Sequence, residues 1–272
     1  MVQIVKLLYG LQFTLSHCWS VQLDARPDRI MNNTYKGSPE LLRDFWENRS
    51  VSFEKDYGIR QKGIVKLVEK TAKLIEDKNV LEVGCGPGIV ARYYPPTSDM
   101  VGVDFSSSML KLAKKRIRKL VLGDALSLPF RTGVFEVLTC YFMASDYAAK
   151  ENIFAEAFRV LEAGGIFLYA DYSLEDEHWK LRRQILPALG QSCDINIEED
   201  REIAEKLKHT GFSIVETNLI RFNAEFRLER YLKSRNEIQK LKEANLNLWK
   251  ALKTHLENGK IEREFLLLIS RK

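Results

Sequence analysis

The stretch NVLEVGCGPGIVARYY, residues 79 to 94, decides the fold. Val80, Leu81 and Val83 form a short apolar run that leads into Gly84, Gly86 and Gly88, and Ile89 to Tyr94 reads as the start of a helix. A strand, a glycine turn and a helix bring backbone amides close to a ligand at the helix mouth. The dinucleotide pattern is G-x-G-x-x-G, whereas the spacing here is G-x-G-x-G. Pro87 stands between the last two glycines, where it removes an amide donor and fixes φ at about −65°. Such a loop is poorly suited to a pyrophosphate, but it suits a ligand that needs close backbone approach and carries no phosphate.

The run MVGVDFSSSML, residues 100 to 110, is an apolar strand ending in Asp104, 20 residues after Gly84. A carboxylate at that offset is placed to accept hydrogen bonds from two ribose hydroxyls. Asp104 could instead cap the helix that follows it, and the three glycines could be simple turn formers. Their crowding between a strand and a helix favours a ligand. A ribose without a pyrophosphate describes S-adenosylmethionine. On these residues the sequence resembles the class I S-adenosylmethionine-dependent methyltransferases, and within them the small-molecule type of ubiquinone and menaquinone biosynthesis. The malonyl-carrier-protein type is also similar, but the C-terminal third matches neither closely.

The resemblance implies an α/β, three-layer Rossmann-like fold: a mostly parallel seven-stranded sheet with an antiparallel last strand and a helical insertion near the C-terminus. It extends to LGDALSLPF (122 to 130), where Asp124 would receive the adenine amino group with the backbone of Ala125 nearby. FEVLTCYFMASD resembles the fourth strand, and EAFRVLEAGGIFLYAD the segment before the fifth, with Ala163 in place of the usual proline. The implied cofactor contacts are Glu82, Gly84, Cys85, Gly86, Gly88, Asp104, Phe105, Met109, Asp124, Ala125 and Tyr141. Glu82 would support the loop and the methionine end of the cofactor. S-adenosylhomocysteine would be the product, and no metal is expected.

The 272 residues, 45% of them apolar, can bury one substantial core. Cys18, Cys85, Cys140 and Cys193 stand far apart with no CxxC pair, the pattern of reduced thiols in a cytoplasmic protein. Residues 1 to 30 read as an N-terminal extension, either not native or disordered, with a natural start at Met31. A signal peptide is disfavoured because Gly10 and Gln12 interrupt the apolar run and no A-x-A-like cleavage site follows. The run is also too short to span a bilayer, which takes about 20 apolar residues.

Residues 31 to 272 read as the methyltransferase domain. Cap helices occupy 38 to 76, with helical patterns near 39 to 49 and 59 to 76. The cofactor-binding core covers 79 to 220, a helical insert or lid 226 to 258, and the last strand 262 to 270. Leu110, Ala113, Ile117 and Leu120 fall on one face of a helix after the second strand, and further strands are expected near 138 to 142, over IFLYADY, and at 212 to 220. Phe154, Ala157, Phe158 and Leu161 mark a helix that stops at Gly164 and Gly165. In the insert, Leu241, Ala244, Leu248 and Leu252 form one apolar stripe. That stripe suits a lid, an extension of the core or a dimer contact, so the chain reads as a monomer or a homodimer.

The basic run KLAKKRIRKL, residues 111 to 120, suggests nucleic acid. A solvated helix face is favoured over that reading because the intervening apolar residues keep core periodicity. No cysteine follows a proline, and no D/N-P-P-Y/F/W motif ends the fourth strand, so nucleic acid is disfavoured and a small-molecule acceptor preferred. The segment PELLRDFWENRSVSFEKDYG looks like the N-terminal cap of such enzymes, with Trp46, Phe53 and Tyr57 as walls. Tyr141 or Phe142 could steady the cationic sulfur through an aromatic face. If the acceptor needs a base, Asp146, Asp171 and His178 are candidates by position, although His178 begins the amphipathic stretch EDEHWKLRRQ and suits a surface place equally. The alternatives are an RNA methyltransferase, a non-catalytic cofactor-binding scaffold and, against the loop's spacing, a nicotinamide-dependent dehydrogenase.

Overall fold

Apolar runs that alternate with helical stretches build a single sheet of seven strands. They are β1 (Asn79–Val83), β2 (Asp99–Asp104), β3 (Lys119–Leu122), β4 (Phe135–Tyr141), β5 (Leu161–Tyr172), β6 (Ser213–Glu225) and β7 (Lys260–Arg271). The computed structural model describes residues 42–48, 61–147, 150–191, 197–228, 231–232 and 234–272. The readings placed on residues 1 to 30, Phe53 and Tyr57 therefore lie outside the described residues.

The strand order is β3-β2-β1-β4-β5-β7-β6. Neighbours from β3 through β5 are parallel, and β7 runs antiparallel to both β5 and β6. The expected methyltransferase fold is the one observed. From β1 the chain winds outward to β2 and β3, then returns to β4 on the other flank of β1. The resulting reversal between β1 and β4 is the place where open α/β sheets bind ligands, beyond the carboxyl ends of the strands.

Helices cover both faces because the parallel strands are apolar on both sides. One face carries α2 (Gln61–Ile75), α5 (Glu177–Ala188), α7 (Arg235–Ala244) and α8 (Leu246–Asn258), which bury Ile64, Leu67, Leu181, Leu241 and Leu252 against Val80, Val137 and Leu267. The other carries α4 (Glu151–Val160) and α6 (Asp200–Thr210), through Phe154, Ala157, Ile203 and Leu207. A short α1 covers 42–48, and α3 is Ser107–Ala113.

Three local expectations change. The helix expected from Ile89 is only a 3₁₀ turn over Ala91–Tyr93. Pro95 follows, and Tyr94 already has the extended conformation (φ −70°, ψ 151°) that a residue before proline prefers. The helix expected from Leu110 through Leu120 stops at Ala113, because Lys119–Leu122 pairs with β2 as the edge strand β3. Leu110, Ala113 and Ile117 still pack together around Cys85, with Leu120 against them. The helix carrying Phe154 ends at Val160, so Leu161 opens β5 instead of closing that helix.

The insert is two helices. Asn245 breaks the stripe, and its side chain accepts from the Leu248 amide at 3.0 Å to cap α8. Ala244 is therefore exposed, while Leu241, Leu248 and Leu252 join the main core.

Behind the carboxyl end of β5, Asp176 and Arg263 form a buried ion pair at 2.7 Å, with side-chain exposures of 0% and 2%. Asp176 also accepts from the amides of Glu264 (2.9 Å) and Trp179 (3.1 Å), which caps α5. Removing the carboxylate leaves a buried guanidinium uncompensated, so Asp176→Ala is expected to cost about 3–5 kcal/mol. Urea unfolding monitored by circular dichroism measures it.

Candidate functional site

Adjacent strand ends along the carboxyl edge carry Asp124 after β3, Asp104 on β2, Glu82 and the glycine loop on β1, and Phe142 to Asp146 after β4. Sheet order alone thus assembles residues that are up to 64 positions apart.

The loop folds over the end of β2. The amides of Gly84 and Cys85 both donate to the Val103 carbonyl, at 2.8 and 3.0 Å. Gly84 has φ +68°, and a Cβ there would lie 2.5 Å from Met143 Cγ. Gly86 has φ +51° and no atom within 4 Å of the place a Cβ would take. This is an open cradle that a side chain would strain and fill. The Cys85 thiol points into the cluster of Leu110, Ala113 and Ile117, and burial raises its pKa, so this cysteine offers the site its backbone.

Asp104 is 7% exposed. Its Oδ2 accepts from the Gly86 amide at 2.8 Å and its Oδ1 from the Ser106 amide at 2.9 Å. Burial raises its pKa to about 6 against the pull of these hydrogen bonds. Glu82 is 2% exposed, and its Oε2 has no hydrogen-bond partner. Burial pushes its carboxyl up to about 8, with the Asp104 charge adding to the shift. Asp124 Oδ1 accepts from the Leu126 amide at 2.9 Å in a tight turn; Ala125 and Met109 are buried, and Phe105 is half-buried.

Comparison with known proteins agrees with this edge. A family model described as a methyltransferase domain matches residues 81–169. The phthiotriol/phenolphthiotriol dimycocerosates methyltransferase 1 of Mycobacterium ulcerans is 34% identical over 171 residues, 58% of this chain and 62% of the relative. A demethylmenaquinone methyltransferase of Thermus thermophilus is 30% identical over 132 residues, 46% of this chain and 59% of the relative. The chain thus covers about three fifths of the length of these two relatives. The crystal structure of magnesium protoporphyrin IX methyltransferase from Synechocystis PCC 6803 with bound S-adenosylhomocysteine shares the fold, with a TM-score of 0.57 and 12% identity over 86% of this chain and 98% of that one. Residues 81–169 thus match a methyltransferase domain, and the fold is that of a solved methyltransferase with bound S-adenosylhomocysteine.

The cofactor of these methyltransferases fits three features of the edge: the open cradle at Gly86, the paired oxygens of Asp104 with a lone pair left on each, and the orphaned Glu82 oxygen. Other candidate methyltransferase residues lie further from the open edge. Tyr141 is 5% exposed and packs in the cluster containing Ile64, Leu67 and Val68 of α2. Phe142 follows it with φ +58°, a left-handed conformation unusual for a bulky residue, and packs at 4.5 Å between ring centres on Phe265. Asp171 is buried and accepts from the amides of Ser145 (3.0 Å) and Tyr172 (2.9 Å). His178 is buried rather than on the surface: its Nδ1 lies 2.6 Å from the Tyr231 hydroxyl, because the chain leading into α7 packs over the start of α5.

Sequence reasoning missed two contacts. Arg116 of the basic run hydrogen-bonds the Pro87 carbonyl at 2.8 Å, and Glu47 accepts from the amides of Ser107 (2.7 Å) and Ser108 (3.0 Å). Neither had a local signal: Arg116 stands in a run read as a solvated face, and nothing around Glu47 in the sequence singles it out. Lys119 in the same run pairs with Asp99, while Lys111, Lys114, Lys115 and Arg118 are exposed.

Unfolded carboxylates titrate at about 4, so Glu82 and Asp104 hold protons more tightly in the folded chain. Their contribution to stability is fully present below that range and is lost as pH rises through about 6 for Asp104 and about 8 for Glu82. The ligand-free melting temperature should therefore fall between about pH 4 and 8 through these groups, and Glu82→Gln should flatten the upper half of that fall. Differential scanning fluorimetry across pH, parent against variant, checks both.

Proposed function

We propose that this chain methylates a small organic acceptor at the carboxyl edge of β1, β2 and β4. The observation that carries the reading is the buried Glu82 side chain, whose Oε2 has no hydrogen-bond partner, beneath a left-handed glycine loop and next to the doubly bonded Asp104. A buried carboxyl oxygen without a partner is costly unless a ligand completes it. A zwitterionic nucleoside with an ammonium group at one end and ribose hydroxyls at the other supplies both missing partners.

S-adenosylmethionine, when bound, supplies a methyl group already activated by its sulfonium. The work left to the protein is alignment at near-attack distance. In this reading Gly84, Cys85, Gly86 and Gly88 give the backbone approach, and Asp104 accepts from the ribose hydroxyls. Asp124 and Ala125 hold the adenine, with Phe105 and Met109 beside it. Glu82 compensates the ammonium group. Tyr141 lies inside the core and supports the end of β4 from behind. Asp171 holds the Ser145 amide and so fixes the turn after β4, a positioning task. The names of the two relatives, for demethylmenaquinone and for phthiotriol dimycocerosates, support an organic acceptor over a nucleic acid.

Isothermal titration of the full chain with S-adenosylhomocysteine and with NAD tests the cofactor half of the proposal. Tight binding of the first and none of the second is expected, with Asp104→Ala weakening it by about 2 kcal/mol through loss of a charged acceptor. Gly86→Ala should weaken binding at least as much while costing the free protein only about 1 kcal/mol of left-handed strain. Transfer of labelled methyl from S-adenosylmethionine into a panel of quinols and phenols tests the acceptor. Incorporation into RNA, lost on charge reversal at Lys111, Lys114, Lys115 and Arg118, would move the acceptor class to nucleic acid.

A further inference from the structure

The helix α1 crosses the mouth of this site and is tied at both sides. Its inner face is Leu42, Trp46 and Glu47, all half-buried, while Arg43, Asp44 and Phe45 face outward. Leu42 packs on the cluster that contains Val83, Val103 and Ala144. On the β2 side, the Glu47 carboxylate accepts from the Ser107 and Ser108 amides, directly after the Asp104–Ser106 turn. On the β4 side, Trp46 Nε1 donates to Asp146 Oδ2 at 3.0 Å. Since β1 lies between β2 and β4 in the sheet, a seven-residue helix bonded to the ends of both strands must pass over the glycine loop. Asp146 is in turn fixed through its neighbour Ser145, whose amide is held by Asp171.

We infer that Trp46, Glu47 and Asp146 are positioning residues that latch α1 across the cofactor site at two points, so that cofactor exchange requires both latches to open. The inference rests on the proposed cofactor site and adds to it the residues that control residence. It gives Asp146 a task other than general base: its carboxylate is an acceptor for the indole, with Asp171 behind it.

The half-buried latch side chains can be removed without opening the core, because among the described residues of α1 only Leu42 joins either main cluster. The test is the dissociation rate of S-adenosylhomocysteine from the full chain, measured by stopped-flow chase with excess unlabelled ligand. Trp46→Phe, Asp146→Ala and Glu47→Gln should each speed release by about tenfold, with the ligand-free melting temperature unchanged. Asp146→Asn, which keeps an acceptor oxygen, should recover most of the parent rate. The double variant Trp46→Phe/Asp146→Ala should be no faster than either single one, as a shared hydrogen bond requires. Parent-like release from all three variants, in a parent that binds S-adenosylhomocysteine, would overturn the latch and leave the cofactor site standing. A parent that does not bind it would overturn both.

Discussion

Two carboxylates buried at adjacent strand ends, Glu82 and Asp104, set the terms for the rest of this structure. Charge is expensive away from water, and each carboxylate needs donors that the fold must supply. Asp104 obtains two, from Gly86 and Ser106, and the Gly86 amide reaches it only because the loop turns through left-handed conformations at three glycines. The same turn leaves the space above Gly86 open. Glu82 obtains no donor on its Oε2, and burial keeps a proton on its carboxyl at neutral pH, so the binding edge holds an acceptor that a cationic ligand can convert to a charged partner. Pro87 belongs to this arrangement as well. It gives up an amide, and its carbonyl is held by Arg116, so the loop is braced from outside by the basic run that follows α3.

Around this edge the polar contacts serve to hold strand ends still. Asp171 fixes the turn after β4, Asp176 and Arg263 lock the start of α5 to β7, and His178 meets Tyr231 where the chain enters the insert. The insert itself buries Leu241, Leu248 and Leu252 in the main core, so α7 and α8 extend that core as well as lying beside the carboxyl edge of β5. Phe142 stores backbone strain at the end of β4, where strained residues commonly serve function.

Much of this was legible in the sequence because it depends on local patterns. The glycine spacing, the offset to Asp104 and the apolar runs of β1, β2, β4 and β7 each follow from chemistry within a few residues. Most of the misreadings involve a tertiary partner. Lys119–Leu122 pairs with β2 although its residues continue a helical stripe, and no local feature separates the two. His178 has the neighbours of a surface helix, yet packing from a residue 53 positions away buries it. Arg116 read as part of a solvated face and Glu47 carried no reading of its own, because their partners are backbone groups of other loops. Pro95 was the signal that the turn at Ala91–Tyr93 would not grow into a helix, and it was present in the sequence.

The most direct measurement is the proton balance of cofactor binding. With Glu82 titrating at about 8 in the free chain, its carboxyl is mostly protonated at neutral pH. Pairing with a ligand ammonium group lowers that value, so binding must release a proton. Titrating S-adenosylhomocysteine near pH 7 in buffers of different ionisation enthalpy should show release approaching one proton per cofactor, lost in Glu82→Gln. Binding without proton exchange, or with uptake, would contradict the role of Glu82 as the partner that the ligand completes.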